Sequence, residues 1–503
     1  MKNKSIDFNT VLTGANLLFA GLFVFACTRT EGNEYVNQET MLLGIVLCLQ
    51  THIALRFEGR RRNPFIILLA FSMLFYYSLR LLTLSLYPFS DVFDRYPYDA
   101  SDSNYALIFI IVANVFLYTG FHIARINGNY AINSGQWRAG SPGRVVFLVL
   151  AAIIFAYFSG VYWTEDNIPR VFNFLTIFIS QNSILLMTLS YYLLFKKSLT
   201  KKVAVTLAVL IVTDMVAHTL MGSRGAIVSI IQNYILVTLA IGNRIQLRRR
   251  YFVLGIVLFP VVMALLVGSF AISTYNRANR DSAASLDLSR AVELAREASS
   301  ALSLESTLDT IAPVIAARVG FFDFSAEIIA HRDEYNSVIN LSSYAKSIID
   351  NILTPGFDVY DQPKISNALQ FVYGEMGSPS KEQAAESYHS DQLGIYGEFY
   401  ALFGYASLPL FFLVAYLLKL AYVGMRSANP FVLTMKRVIV LFVFVRMLDS
   451  YGFDWTILET LTLVAAIYIY RYFFFSKPAS VVESPLRADF HLPQSNPPVA
   501  LPN

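Results

Sequence analysis

Charge is scarce in this chain. Only 15% of its 503 residues are Asp, Glu, Lys or Arg, while 55% are hydrophobic and mean hydropathy is +0.50. A soluble enzyme of this length is excluded, because an ordinary soluble protein is about 25% charged. Cysteine is scarcer still: Cys27 and Cys48 are the only two and form no CxxC pair, so neither a disulfide framework nor a zinc site is supported. There is no HExxH, GxSxG, Walker loop or DxD-type carboxylate pair. Those absences argue against a zinc hydrolase, a serine hydrolase, an ATPase and a metal-dependent nucleotide-sugar transferase, so no metal and no cofactor are expected. No basic and aromatic RNA or DNA signature accompanies the net charge of +4, and no nucleic-acid partner is expected. No internal repeat relates the two halves, which disfavours a transporter built from inverted repeats.

What the chain has instead is apolar runs of membrane length. A hydrocarbon core about 30 Å thick needs roughly 17 to 25 mostly apolar residues per helix. The runs at 11–27, 40–55, 64–86, 105–124, 145–163, 171–195, 203–220, 226–242, 251–273, 398–421, 431–448 and 456–474 predict an all-α polytopic membrane protein with about twelve transmembrane helices. Lys and Arg fall in alternate connections: Lys2 and Lys4, Arg60 to Arg62, Arg138 with Arg144, Lys196 to Lys202, Arg248 to Arg250, then Arg426 with Lys436 and Arg437. Positive side chains stay on the cytoplasmic side. Both termini are therefore expected inside, with the acidic loops around Glu31 to Glu39, Asp91 to Asp102 and Glu165 to Asp166 outside. Lys2 and Lys4 ahead of an apolar run resemble a signal peptide, but no small-residue cleavage site follows, so an uncleaved first helix is expected.

One polar stretch interrupts the series. Residues 1–274 read as nine spans, 275–395 as a large, mainly helical outer loop, 396–475 as three spans, and 476–503, rich in proline, as a disordered cytoplasmic tail. Candidate chemistry gathers on the outer side. Gly222-Ser223-Arg224-Gly225 forms the turn between the seventh and eighth spans; Arg224 reads either as a donor fork for phosphate oxygens or as an arginine reaching lipid headgroups. Leu308, Ile311, Ile315, Arg318 and Phe322 share a helical stripe, so the Arg318 cation needs an anion, either Asp323 or a substrate phosphate. Arg277 and Arg280 follow the ninth span at the outer surface, where headgroup binding is the simplest account. His389 and Glu398 arrive at the membrane surface as the tenth span opens and are candidate proton acceptors; a solvated histidine and a helix-start carboxylate are the plain alternatives. Arg80 and Arg446 lie near outward span ends, with Asp449, Asp454 and Glu459 available as partners, and Asp214 and His218 share a face of the seventh span.

Taken in order, Gly222-Ser223-Arg224-Gly225, Arg318-Val319-Gly320-Phe321-Phe322-Asp323, the stretch from Pro355 to Lys364, and Gly397-Glu398-Phe399-Tyr400-Ala401-Leu402-Phe403-Gly404 resemble the Wzy-type O-antigen or oligosaccharide repeat-unit polymerases over roughly residues 200 to 425. The resemblance implies a multi-pass glycosyltransferase of the bacterial inner membrane that uses undecaprenyl-diphosphate-linked glycans, with outer-loop arginines binding the substrate. A chain-length regulator and a flippase are further partners of that class, beside the bilayer itself. The paired outer-loop Arg-x10-Gly motifs of some members are not matched here. An O-antigen ligase, or a lipid-linked glycan flippase or transporter, is the alternative. On this reading Arg224 and Arg318, with Arg280 ranked below them, hold the diphosphate of the donor, and His389 or else Glu398 takes the proton of the acceptor sugar hydroxyl.

Overall fold

The computed structural model of the chain describes residues 5–29, 31–58, 63–86, 98–124, 141–161, 181–197, 199–220, 226–242, 246–248, 296, 320–350, 360, 365, 372, 393–427, 429–449 and 453–474. The described residues are almost entirely helical. In order they form α1 (Phe8–Arg29), α2 (Gln38–Glu58), α3 (Pro64–Leu86), α4 (Ala100–Ile123), α5 (Pro142–Val161), α6 (Gln181–Phe195), α7 (Lys201–Leu220), α8 (Ala226–Ala240), α9 (Phe321–Ala330), α10 (Arg332–Val338), α11 (Leu341–Ile348), α12 (Gly394–Phe403), α13 (Leu408–Gly424), α14 (Pro430–Asp449) and α15 (Phe453–Phe474). Most spans read from the sequence fall on one of these helices; 398–421 is divided between α12 and α13, 171–195 is described only from 181, and 251–273 lies outside the described residues together with the tail from 475. The all-helical expectation holds for the described residues, beside one short ribbon in which β1 (Ser5–Asp7) pairs antiparallel with β2 (Gln246–Arg248).

By length and composition five helical stretches are apolar enough to cross a membrane, at 8–29, 38–57, 64–86, 100–123 and 394–424, the last of them divided at Gly404 into α12 and α13. Their outward faces are as apolar as their buried ones. Leu17, Leu18, Val24 and Phe25 of α1 and Leu413, Leu417 and Leu420 of α13 are exposed, as expected where the surroundings are hydrocarbon and not water.

Local signals set the helix starts. Asn63 accepts from the Phe65 amide at 3.2 Å ahead of Pro64, and Asn429 caps Phe431 and Val432 behind Pro430. Proline at the first helical position costs nothing, because its missing N–H would be unsatisfied there anyway. Asp99 and Asp102 make a reciprocal capping box for α4.

Contacts sort the helix ends onto two faces. On one, the Asn33 amide donates to the Leu84 carbonyl at 2.8 Å, Tyr35 meets Tyr98 at 5.3 Å and Thr40 donates to Asn104 at 2.7 Å, which gathers the start of α2, the end of α3 and the start of α4. On the other, the β1–β2 ribbon joins the segments before α1 and after α8. There the Lys419 ammonium donates to the Phe121 carbonyl, and the Arg437 guanidinium to the Ala240 carbonyl at 3.3 Å. Those two cations satisfy orphan carbonyls at the C-termini of α4 and α8, where the helix dipole is negative. This grouping is the one expected from the alternation of Lys and Arg. We call the two the Tyr98 face and the ribbon face.

The tenth predicted span is not one rod. Gly404 has φ +57, ψ −139, and Gly404–Ser407 is a short 3₁₀ turn. Beyond it the chain folds back: Tyr400 meets Tyr405 at 5.4 Å and Tyr396 stacks on Phe411 at 5.4 Å. Contacts that move outward from the turn on both arms define an antiparallel hairpin of α12 and α13. A side chain at 404 would also strike Arg332, 3.2 Å from its Nε. The turn frees carbonyls at the end of α12, and α10 caps them: Arg332 Nε donates to Tyr400 O at 3.1 Å and Asn336 to Ala401 O at 2.6 Å.

Candidate functional site

Helices α9 and α12 run side by side in the same direction. Phe321 lies next to Gly394, Ile328 against Gly397, and Arg332 against Tyr400, so position along one helix rises with position along the other. Both N-termini therefore point to one place, bounded by Tyr76 and Tyr77 of α3 and by Leu448 of α14. Phe321 meets the Tyr76 ring at 4.5 Å. A Cβ on Gly394, whose φ is +62, would lie 3.2 Å from Leu448 O, 3.8 Å from Phe321 Cδ1 and 3.8 Å from Tyr77 Oη, so glycine is required on grounds of both space and conformation. Each helix is ten residues long. Their N-caps, Gly320 and Leu393, have no side-chain acceptor for the first amides. Two aligned helix N-termini concentrate partial positive charge at this point.

The α3 segment beside it is a π-helix, Met73–Ser78. The wider i→i+5 turn there carries two successive tyrosines that reach different neighbours. Tyr76 reaches Phe321 and the Asp449 carboxylate, whereas Tyr77 makes an edge contact with Tyr396 at 5.5 Å. One turn on, Arg80 anchors α9. Its Nε donates to Asp323 Oδ2 at 2.7 Å, the Tyr98 hydroxyl donates to Oδ1 at 2.7 Å, and Arg80 and Asp323 are buried. Burial pushes the Asp323 carboxyl up from its ordinary range, with Arg80 and Tyr98 pulling against it. Burial and the neighbouring carboxylate together hold the Tyr98 phenol protonated.

Two further carboxylates sit under tyrosines of the loop helices. Glu327 accepts from Tyr335 at 2.6 Å and Glu398 from Tyr344 at 2.5 Å, both in buried positions. On the α8 and α15 side, Asp449 Oδ2 accepts from the Gln232 amide at 2.9 Å. Arg446 grips Glu459, with Nη2 donating to Oε1 at 2.8 Å and Nε lying 2.8 Å from Oε2.

Of the residues singled out in the sequence, Arg224, Arg280, Arg318 and His389 lie outside the described residues, as do Arg277 and all of the Leu308 to Phe322 stripe before Phe322. Glu398 is described, and it is interior, bonded to Tyr344, and not a surface carboxylate at a helix start. Asp323, expected beside Arg318, carries the Arg80 cation. Glu459 does serve Arg446, as expected, while Asp449 goes to Gln232. Asp214 is half-buried on α7, and Asp454 and His218 have side chains outside the described set. Tyr76, Gln232 and Tyr344 carried no sequence signal, since a π-turn and a cross-helix amide leave no periodicity to read.

Comparison with protein-family models, with curated proteins and with solved structures gives no match for this chain.

Proposed function

We propose that the protein is a membrane glycosyltransferase that polymerises undecaprenyl-diphosphate-linked oligosaccharide repeat units into O-antigen or a related polysaccharide. On this reading it works at the outer face of the bacterial inner membrane, with about twelve spans, both termini cytoplasmic and the Tyr98 face outward. The observation that carries the reading is the convergence of the α9 and α12 N-termini. A glycosyl transfer from a lipid diphosphate leaves negative charge on phosphate oxygens, and fixed amide dipoles aimed at that charge stabilise it without a further charged group. Each terminus contributes roughly 0.3 to 1 kcal/mol, rising to about 2 when partly buried.

Cations and a candidate base stand a few residues away in the sequence from these segments. Arg318 precedes Gly320 by two residues and His389 precedes Leu393 by four. Arg224 opens the segment leading into α8, the helix whose Gln232 binds Asp449, next to Leu448. Arg224 and Arg318 clamp the donor diphosphate in this proposal, and Arg280 assists at the surface. Proton acceptance from the acceptor hydroxyl falls to His389, with Glu398 second because Tyr344 already holds its carboxylate.

The test is reconstitution. Purified protein in lipid, given one lipid-diphosphate-linked repeat unit and nothing else, should yield a ladder of longer glycans. Transfer only when a lipid A core is supplied identifies a ligase, and movement of the lipid-linked glycan across the bilayer without extension identifies a flippase.

A further inference from the structure

The confluence of α9 and α12 has a polar flank that the diphosphate reading does not use. Asp449, the last residue of α14, adjoins Leu448, whose carbonyl faces Gly394. Its side chain is more than nine-tenths buried at 8% exposure. Oδ2 is fixed by Gln232, and the Tyr76 hydroxyl lies against the carboxylate, yet Oδ1 accepts no hydrogen bond. An ionised carboxylate has about four acceptor positions, and a buried one left short of donors is costly. Among the described residues, Arg446 and Glu459 are the other charged groups acting on it, and those two pair with each other.

A polar group with an unfilled acceptor, flanked by the aromatic pair of Tyr76 and Phe321 at 4.5 Å, fits a sugar. A pyranose offers hydroxyl donors at its edge and an apolar C–H face to aromatic rings. The diphosphate belongs at the helix N-termini and not on this flank, where the carboxylate would repel it.

We propose that Asp449 and Tyr76 form a saccharide-binding subsite, in which a sugar hydroxyl of the lipid-linked glycan donates to Asp449 Oδ1 and Tyr76 packs beside the ring. Gln232 is a positioning residue that sets the carboxylate. The proposal rests on the glycosyltransferase reading and adds the sugar half of the site to its diphosphate half. The π-turn that supplies Tyr76 belongs to a class of helix defects found often at functional sites.

Binding separates the two halves. Wild-type protein in nanodiscs is titrated with undecaprenyl diphosphate alone and with the undecaprenyl-diphosphate-linked glycan extracted from the producing cells. Asp449→Asn keeps the shape and the Gln232 contact but removes the charge. It should weaken the glycan-bearing lipid by about tenfold or more, as for a hydrogen bond to a charged group, and leave the bare diphosphate lipid unchanged. Tyr76→Phe keeps the ring and should cost a few-fold on the glycan-bearing lipid only. Equal loss on both lipids, or no loss on either, overturns the subsite. Should Asp449→Asn not accumulate in the membrane, the same comparison on Tyr76→Phe decides. A wild type that binds the glycan lipid more tightly than the bare lipid, yet forms no ladder, rejects the transferase and leaves the subsite standing.

Discussion

Removing the Asp323 carboxylate should detach α9 from the bundle, and the size of the effect follows from what it leaves behind. Arg80 is fully buried, and its Nε meets Asp323 at 2.7 Å. Breaking a buried pair by deleting one partner costs about 3 to 5 kcal/mol, because the other charge stays desolvated. With RT near 0.59 kcal/mol, this raises the population of detached α9 by roughly two to three and a half powers of ten. Asp323→Ala should therefore abolish hydrogen-exchange protection across Phe321–Ala330 while α4 amides keep theirs. The double replacement Arg80→Met with Asp323→Leu removes both charges and should restore most of that protection. Unchanged exchange in Asp323→Ala would refute the anchoring argument outright.

Four other outcomes are expected. Cysteines placed near Asp94 and in the 275–395 loop should react with impermeant reagents from outside and one near Arg248 should not; the reverse pattern would invert the topology and defeat the mechanism. Arg224→Lys and Arg318→Lys keep the charge and lose the bidentate fork, so each should impair polymerisation at normal membrane abundance, and normal polymerisation would reduce that arginine to an anchor. His389→Ala should lower chain extension by about a hundredfold with binding of the lipid-linked repeat nearly intact; if it extends normally and Glu398→Gln does not, the base is Glu398. Gly404→Ala forces a side chain into a conformation that is essentially glycine-only, beside Arg332, and should cost about 1 to 3 kcal/mol, read as a lower melting temperature in detergent.

Hydropathy and charge made legible the helical class, the positions of most described helices, and the grouping of the start of α2, the end of α3 and the start of α4. Those properties come from one-dimensional patterns. An apolar run of about twenty residues has to form a helix to satisfy its backbone in hydrocarbon, and each crossing alternates the side on which Lys and Arg remain. Glu459 was among the partners legible for Arg446, because the two spans that carry them are consecutive in the chain. Only the tertiary structure decided the rest. That Asp323 serves Arg80, 243 residues away in sequence, depends on how a loop helix docks. That 394–424 folds back as a hairpin depends on one glycine with positive φ and on the α10 side chains that cap the exposed carbonyls. Glu398 reads in the sequence as a carboxylate at the membrane surface, and the docking of α11 turns it inward beneath Tyr344. The meeting of the α9 and α12 N-termini beside Tyr76 and Asp449 is of the same kind. It joins four segments far apart in the chain, and no local period or composition encodes which helix ends come to share a point in space.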